Sequence, residues 1–169
     1  PGHLAAFMRS READYIYRSE SLNNGDSWSV PQPTPLPNNN SSISAIRLTD
    51  GRIMIAYNPT CTPNPQKGTA AWPGLRCPIA VAISEDGGRT FPLIRYMEPG
   101  EGFAGSENRT NNRQYEYPFI MQGNDGMIHL AFAYQNRRGI KYMNFSVADV
   151  EGRKREKEGL YNPTAARQK

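Results

Sequence analysis

The strongest constraint on this chain is a turn pattern that occurs twice. Ser84-Glu85-Asp86-Gly87-Gly88-Arg89-Thr90-Phe91 separates the apolar runs 79–83 and 92–96, and Ser21-Leu22-Asn23-Asn24-Gly25-Asp26-Ser27-Trp28 lies 63 residues upstream. Serine, Asx, glycine, hydroxyl and aromatic fall at the same offsets in both copies. Gly and Asx tolerate the positive φ that a tight turn between strands demands, and the Asx oxygen accepts from backbone N–H groups further along the turn. The Ser84 and Thr90 hydroxyls are expected to pair across the turn, with the Phe91 ring tucked under the sheet. One such turn says little; two copies at fixed offsets mark a repeat architecture.

A second repeat supports the first. Asp50-Gly51 and Asp125-Gly126 lie 75 residues apart, and each is followed by a similar run, Arg52-Ile53-Met54-Ile55-Ala56-Tyr57 and Met127-Ile128-His129-Leu130-Ala131-Phe132. Strands are expected at 4–9, 14–19, 43–48, 53–58, 79–84, 91–96, 117–122, 128–134 and 140–145. After the first turn a further strand is expected that fades into the proline-rich 31–35. Four-stranded antiparallel meanders repeated around an axis make an all-β propeller. The blades fall at about 1–36, 37–97 and 115–150, followed by a charged tail at 151–169. Three blades do not close a ring, so the chain reads as a fragment, completed by missing chain or another copy.

Composition agrees and excludes other classes. The 15 Gly and 14 Pro fit a turn-rich chain without fibrous periodicity. The net charge of +4 is concentrated in the tail, where six basic and three acidic groups leave the remainder near +1. That is no basic stripe, so no nucleic-acid partner is expected. No apolar run approaches the ~18 residues of a membrane span, and no signal peptide follows Pro1. His3 and His129 are the only histidines, so neither metal cluster nor cofactor is expected. Cys61 and Cys77 either form a disulfide, worth roughly 3 kcal/mol for such a loop, or stand as two buried thiols.

The turns Ser21, Asn23, Gly25, Trp28 and Ser84, Asp86, Gly88, Phe91 resemble the structural Asp-box (BNR repeat) of sialidases and their relatives. In a meander, starts of first and third strands and ends of second strands share one face, opposite these turns. Arg9, Arg76 and Tyr117 land on that face. The resemblance covers about residues 4–145 and becomes specific there. A sialidase arginine closing a second strand, like Arg9, binds the substrate carboxylate. Another stands eight residues before the box serine, like Arg76, and a nucleophilic tyrosine opens a strand eight residues before an Asp-Gly turn, like Tyr117. Glu116, Arg113, Arg138 and Trp72 are expected at the pocket rim, the charged ones solvated, and Tyr115 competes with Tyr117. The acid/base aspartate, the tyrosine's glutamate partner and a further arginine would precede Pro1, and Tyr117-Pro118 departs from the usual Tyr-Ser.

The resemblance thus implies an exo-acting glycoside hydrolase that cleaves a terminal sialic acid from glycans through a tyrosine nucleophile. Paired arginines grip the sugar carboxylate, and a neutral phenol avoids the repulsion an anionic nucleophile would meet. It also implies a secreted, periplasmic or cell-surface protein, with a cytoplasmic one left open. Two alternatives remain open: the same propeller with other carbohydrate chemistry, a lyase or another glycosidase, and a non-catalytic propeller that binds glycans or proteins.

Overall fold

The computed structural model describes residues 2–62, 64–71, 76–98, 114–134 and 137–152. Strands β1 (Leu4–Arg9), β2 (Tyr15–Ser21) and β3 (Gln32–Pro37) form the first sheet in that order. The second is β4 (Ser44–Arg47), β5 (Ile53–Tyr57), β6 (Ile79–Ser84) and β7 (Leu93–Glu98), and the third is β8 (Glu116–Gln122), β9 (Ile128–Tyr134) and β10 (Gly139–Phe145). Every neighbouring pair is antiparallel. A single turn of helix, α1 (Val147–Glu151), follows, closed at its start by a Ser146–Asp149 capping box. Among the described residues no helix is long and apolar enough to cross a membrane.

The two repeated turns share one hydrogen-bond pattern. Ser84 Oγ donates to Asp86 Oδ1 at 2.7 Å and accepts from Gly88 N at 2.8 Å. Ser21 Oγ likewise donates to Asn23 Oδ1 at 2.9 Å and accepts from Gly25 N at 2.9 Å. The Asx oxygen then accepts from the backbone four residues on, Thr90 N at 2.9 Å and Ser27 N at 3.0 Å. Ser84 and Thr90 therefore meet through Asp86 and not directly, because the carboxylate offers two acceptors between them. The closing aromatics differ. Phe91 is buried, edge-on to Phe7 at 6.4 Å between centroids, whereas Trp28 is half exposed and donates Nε1 to Gly25 O at 3.0 Å.

The strand expected after the first box does not fade into the prolines at 31–35 but runs through them, as the edge strand β3. An edge strand needs only half its backbone donors, so Pro33, Pro35 and Pro37 are tolerated there. Thr34 Oγ1 ties it to Ile16 O at 2.8 Å, and Leu36 is wholly buried.

The middle sheet feeds two cores. Ile55, Tyr57, Ala80 and Ala82 pack with Ile16 and Leu36 of the first sheet. Met54, Ala56, Val81 and Ile83 pack with Ile120, Ile128, Leu130 and Phe132 of the third. With neighbours on both faces, β6 is buried at all six positions, which is why it lacks the polar alternation of a half-exposed strand.

The first and second sheets are also joined on the turn side. Arg18 Nε donates to Gly87 O at 2.7 Å, and Glu20 accepts from Arg18 at 2.9 Å and Arg89 at 2.8 Å. The Arg18 guanidinium, then His3 and Arg89, hold the Glu20 carboxyl at about 2 against an ordinary 4.5. A depressed carboxyl stabilises the fold fully above its unfolded value and loses that contribution as pH falls toward the folded one. Between about pH 4.5 and 2, Glu20→Gln is therefore expected to lose stability less steeply than wild type, read as urea midpoints across that window. Gly88 fixes the same joint sterically: at φ +86° it has no β-carbon, and one placed there would lie 2.7 Å from Phe7 Cε1. Gly88→Ala is expected to cost about 2–4 kcal/mol in strain and overpacking. Gly126→Ala, at φ +81° with nothing within 4 Å, should cost only the backbone share in the same denaturation assay.

Candidate functional site

Two segments far apart in sequence are zipped together at the strand-start edge of the second and third sheets. Arg76 bridges Gln114 in parallel, and Tyr115 N donates to Arg76 O at 3.0 Å. The buried Asn58 side chain staples both: Nδ2 lies 2.9 Å from Arg76 O, 3.0 Å from Pro78 O and 3.2 Å from Tyr115 O. β8 then enters with a register shift between Glu116 and Phe119. Tyr117 sits in that irregularity at φ +54°, a region unfavourable for a bulky residue and costing on the order of 1–3 kcal/mol. The result turns the Glu116 side chain inward, 6% exposed, and the Tyr117 ring outward, 52% exposed.

Three charged groups surround that ring. Glu116 Oε1 is 2.8 Å from Arg76 Nη1 and accepts from Arg137 Nη2 at 3.0 Å, while Arg137 Nε binds its other oxygen. Arg137 Nη2 also donates to Tyr117 Oη at 3.2 Å. The guanidinium carbons of Arg76 and Arg137 lie 5.6 and 5.3 Å from the Tyr117 ring centroid, within cation–π range. Arg137 first, and Arg76 with it, hold the Glu116 carboxyl below its ordinary range against the opposing effect of burial. Two guanidiniums against one carboxylate leave a local charge of +1, which suits an anion.

The other expected site residues fall as follows. Glu116 is not a solvated rim group: its carboxylate is buried and doubly paired, because the bulge turns it under the strand. Tyr115 does not compete with Tyr117; it is wholly buried, edge-on to Phe132 at 5.5 Å and stacked on Tyr134 at 6.0 Å. Arg138 is exposed and outside the cluster. Its neighbour Arg137 makes the contacts, a residue that sequence reasoning passed over because a turn with adjacent arginines does not reveal which one faces inward. Arg113 and Trp72 lie outside the described residues. Arg9 ends β1 on the same edge and donates Nη1 to Asn40 O at 3.1 Å. Among the described residues it makes no hydrogen bond or ion pair with Arg76, Glu116 or Tyr117. Cys61 and Cys77 are not joined. Cys77 is buried in the core beside Tyr115, whereas Cys61 lies near Asp14, and burial, then that carboxylate, pushes its thiol up.

These repeated turns and stacked antiparallel sheets define a sialidase-like β-propeller, of which the chain supplies three sheets. The chain belongs to the BNR repeat-like domain family, whose model matches residues 1–130. Among solved structures it is similar to the NanB sialidase of Streptococcus pneumoniae, with 15% identity and a TM-score of 0.65 over 88% of this chain and 22% of that one. The intramolecular trans-sialidase of Ruminococcus gnavus gives 18% and 0.63 over 90% and 32%. The leech intramolecular trans-sialidase gives 14% and 0.62 over 89% and 22%. The chain thus spans less than a third of those proteins, and at such identities the likeness shows the fold. Among curated proteins none matches the chain.

Proposed function

We propose that this chain carries the nucleophile and part of the carboxylate clamp of an exo-acting, sialidase-type glycoside hydrolase that removes a terminal sialic acid from glycans. The observation that supports it is Tyr117, an exposed phenol at a strand start with the Arg76 and Arg137 guanidiniums 5.6 and 5.3 Å from its ring centroid. The sugar carboxylate takes up the excess positive charge, with Arg76 and Arg9 as its partners. The Tyr117 oxygen, its proton withdrawn, attacks the anomeric carbon, and the bond to the leaving sugar oxygen breaks as that oxygen takes a proton from a carboxylic acid. Water, deprotonated by the same carboxylate, then displaces the tyrosine. Glu116 makes a poor base, since both its oxygens are engaged by arginines that lower its affinity for a proton. The acid and the base would come from residues beyond this chain.

The outer face of the third sheet exposes Phe119 at 62%, Met121 at 46%, Ile140 at 72% and Tyr142 at 59%. By register Met121 and Tyr142 take the places of Ile46 and Val81 in the second sheet, both packed in the core shared with the third. A further blade, from this chain's remainder or another copy, would cover that face. The enzyme would act on glycans outside the cytoplasm.

A non-catalytic, glycan-binding propeller is the second reading, favoured by the fact that Glu116 already engages both arginines. Full-length protein incubated with 3′-sialyllactose separates the two: free sialic acid in the products supports hydrolysis. An anhydro or unsaturated sugar points to other chemistry on the same scaffold, and saturable binding without product means recognition alone. Arg76→Lys is expected to lower kcat/KM roughly 10- to 100-fold, because a point charge forfeits one charge-assisted bond of about 1.5–3 kcal/mol.

A further inference from the structure

Asn58, the residue after β5, is wholly buried. Its Nδ2 donates to Arg76 O at 2.9 Å, Pro78 O at 3.0 Å and Tyr115 O at 3.2 Å, while its Oδ1 has no hydrogen-bond partner. Three acceptors around one nitrogen settle which end of the carboxamide donates. An unmatched buried oxygen is costly, and a residue that served packing alone would be rid of that cost as an apolar side chain. The bond to Pro78 O, just before β6, anchors the amide in its own sheet.

The other two carbonyls belong to the segments that carry the candidate site. Arg76 is the residue whose guanidinium pairs with Glu116 at 2.8 Å, and Tyr115 stands one residue before Glu116 and two before Tyr117. Tyr115 N also donates to Arg76 O at 3.0 Å. By itself that bond is a pivot between the second and third sheets. Asn58, held to both sides of it, adds a second point of attachment and removes the freedom to turn about the first. The Arg76–Glu116 ion pair spans the same join through long side chains, whose many rotamers can follow a shift of the backbone. The short Asn58 side chain has no such slack.

We propose that Asn58 is a positioning residue, which sets the separation of Arg76 and Tyr117 on which the tyrosine chemistry depends, without touching the sugar. This rests on the hydrolase reading for what the separation serves, while the separation itself can be read without turnover. A misplacement of about 1 Å can cost a reaction on the order of a hundredfold. Other side chains do not replace the amide: Gln is a methylene too long, and Ser offers a single hydrogen. Asn58→Asp is the informative change. Its ionised carboxylate turns acceptors toward three carbonyls, whereas its protonated form donates one hydrogen. Burial and the facing oxygens favour the protonated form, so this variant regains function as the pH falls, and Asn58→Ser does not.

The test sets 3′-sialyllactose turnover by full-length protein beside amide hydrogen exchange on the same variants. At neutral pH, Asn58→Ser and Asn58→Asp are expected to lower kcat roughly 10- to 100-fold and to move KM by less than about threefold. The Tyr115 amide is expected to exchange at least about tenfold faster in both, while the amides of β6 keep their wild-type protection. As the pH falls from about 8 to 5, the rate of Asn58→Asp relative to wild type should rise and that of Asn58→Ser stay level. Asn58→Ser carries the test if Asn58→Asp does not fold. Exchange that quickens throughout β6 along with Tyr115 makes Asn58 a residue of the fold and overturns the proposal, as does wild-type kcat in both variants. If wild type turns over no sialoside but the variants loosen Tyr115 and leave β6 protected, the hydrolase reading falls and Asn58 still sets the separation.

Discussion

Tyr117→Phe in the full-length protein is expected to abolish turnover, by on the order of a thousandfold or more, while leaving the fold and sialic acid binding nearly intact. Loss of a covalent nucleophile is worth at least that factor. The ring keeps its contacts with the Arg76 and Arg137 guanidiniums, since cation–π attraction does not need the hydroxyl. What disappears is the oxygen proposed to meet the anomeric carbon, and with it the 3.2 Å bond it accepts from Arg137. Product release followed by mass spectrometry, with circular dichroism and calorimetry on the same sample, reads all three quantities. Wild-type turnover in this variant would sink the nucleophile assignment; loss of binding along with turnover would make Tyr117 a positioning residue.

The largest structural effect is expected from Glu116→Ala. It leaves the Arg76 guanidinium, 15% exposed, without its carboxylate, and breaking such a buried pair costs about 3–5 kcal/mol. Arg137, 58% exposed at its side chain, loses both its bonds to Glu116 but returns to water at little cost. The Tyr117 clamp loosens with it, so kcat should fall more than KM rises. Glu116→Gln keeps the shape and should recover part of the stability but little of the rate. The pH dependence has a definite sign. Because the Glu116 carboxyl is depressed, its contribution is complete above the ordinary glutamate range and fades as pH falls below it. Wild type should therefore approach the Glu116→Gln variant in stability in acid, and equal stability of the two at neutral pH would refute a supporting role for the ion pairs.

The architecture was legible because its signals are local. Asp50-Gly51, Asp125-Gly126 and the two serine–Asx turns announce their hairpins in a handful of residues, and the chain between them alternates or runs apolar accordingly. The course of the edge strand β3 through its prolines escaped, because prolines argue against strand unless it is known to lie at an edge, which is a tertiary fact. The site was legible only as positions. Offsets place Arg76 and Tyr117 at strand starts, but that Glu116 would be buried between Arg76 and Arg137 depends on a bulge and a left-handed tyrosine. No propensity favours that conformation. Asn58 is invisible for the same reason: its amide matters only through carbonyls 18, 20 and 57 residues away.

Arg76 enters the second sheet and Tyr117 opens the third, so the two groups are held at their spacing by a seam between blades and not within either one. The Asn58 staple and the shared core around Tyr115 and Phe132 keep that seam shut. A slight rocking of one blade against its neighbour moves arginine and phenol apart while every strand keeps its own ladder of bonds. On the proposed reading, competence in such a ring is a measure of how tightly neighbouring blades are seated, and any turnover should be lost on heating before the sheets melt.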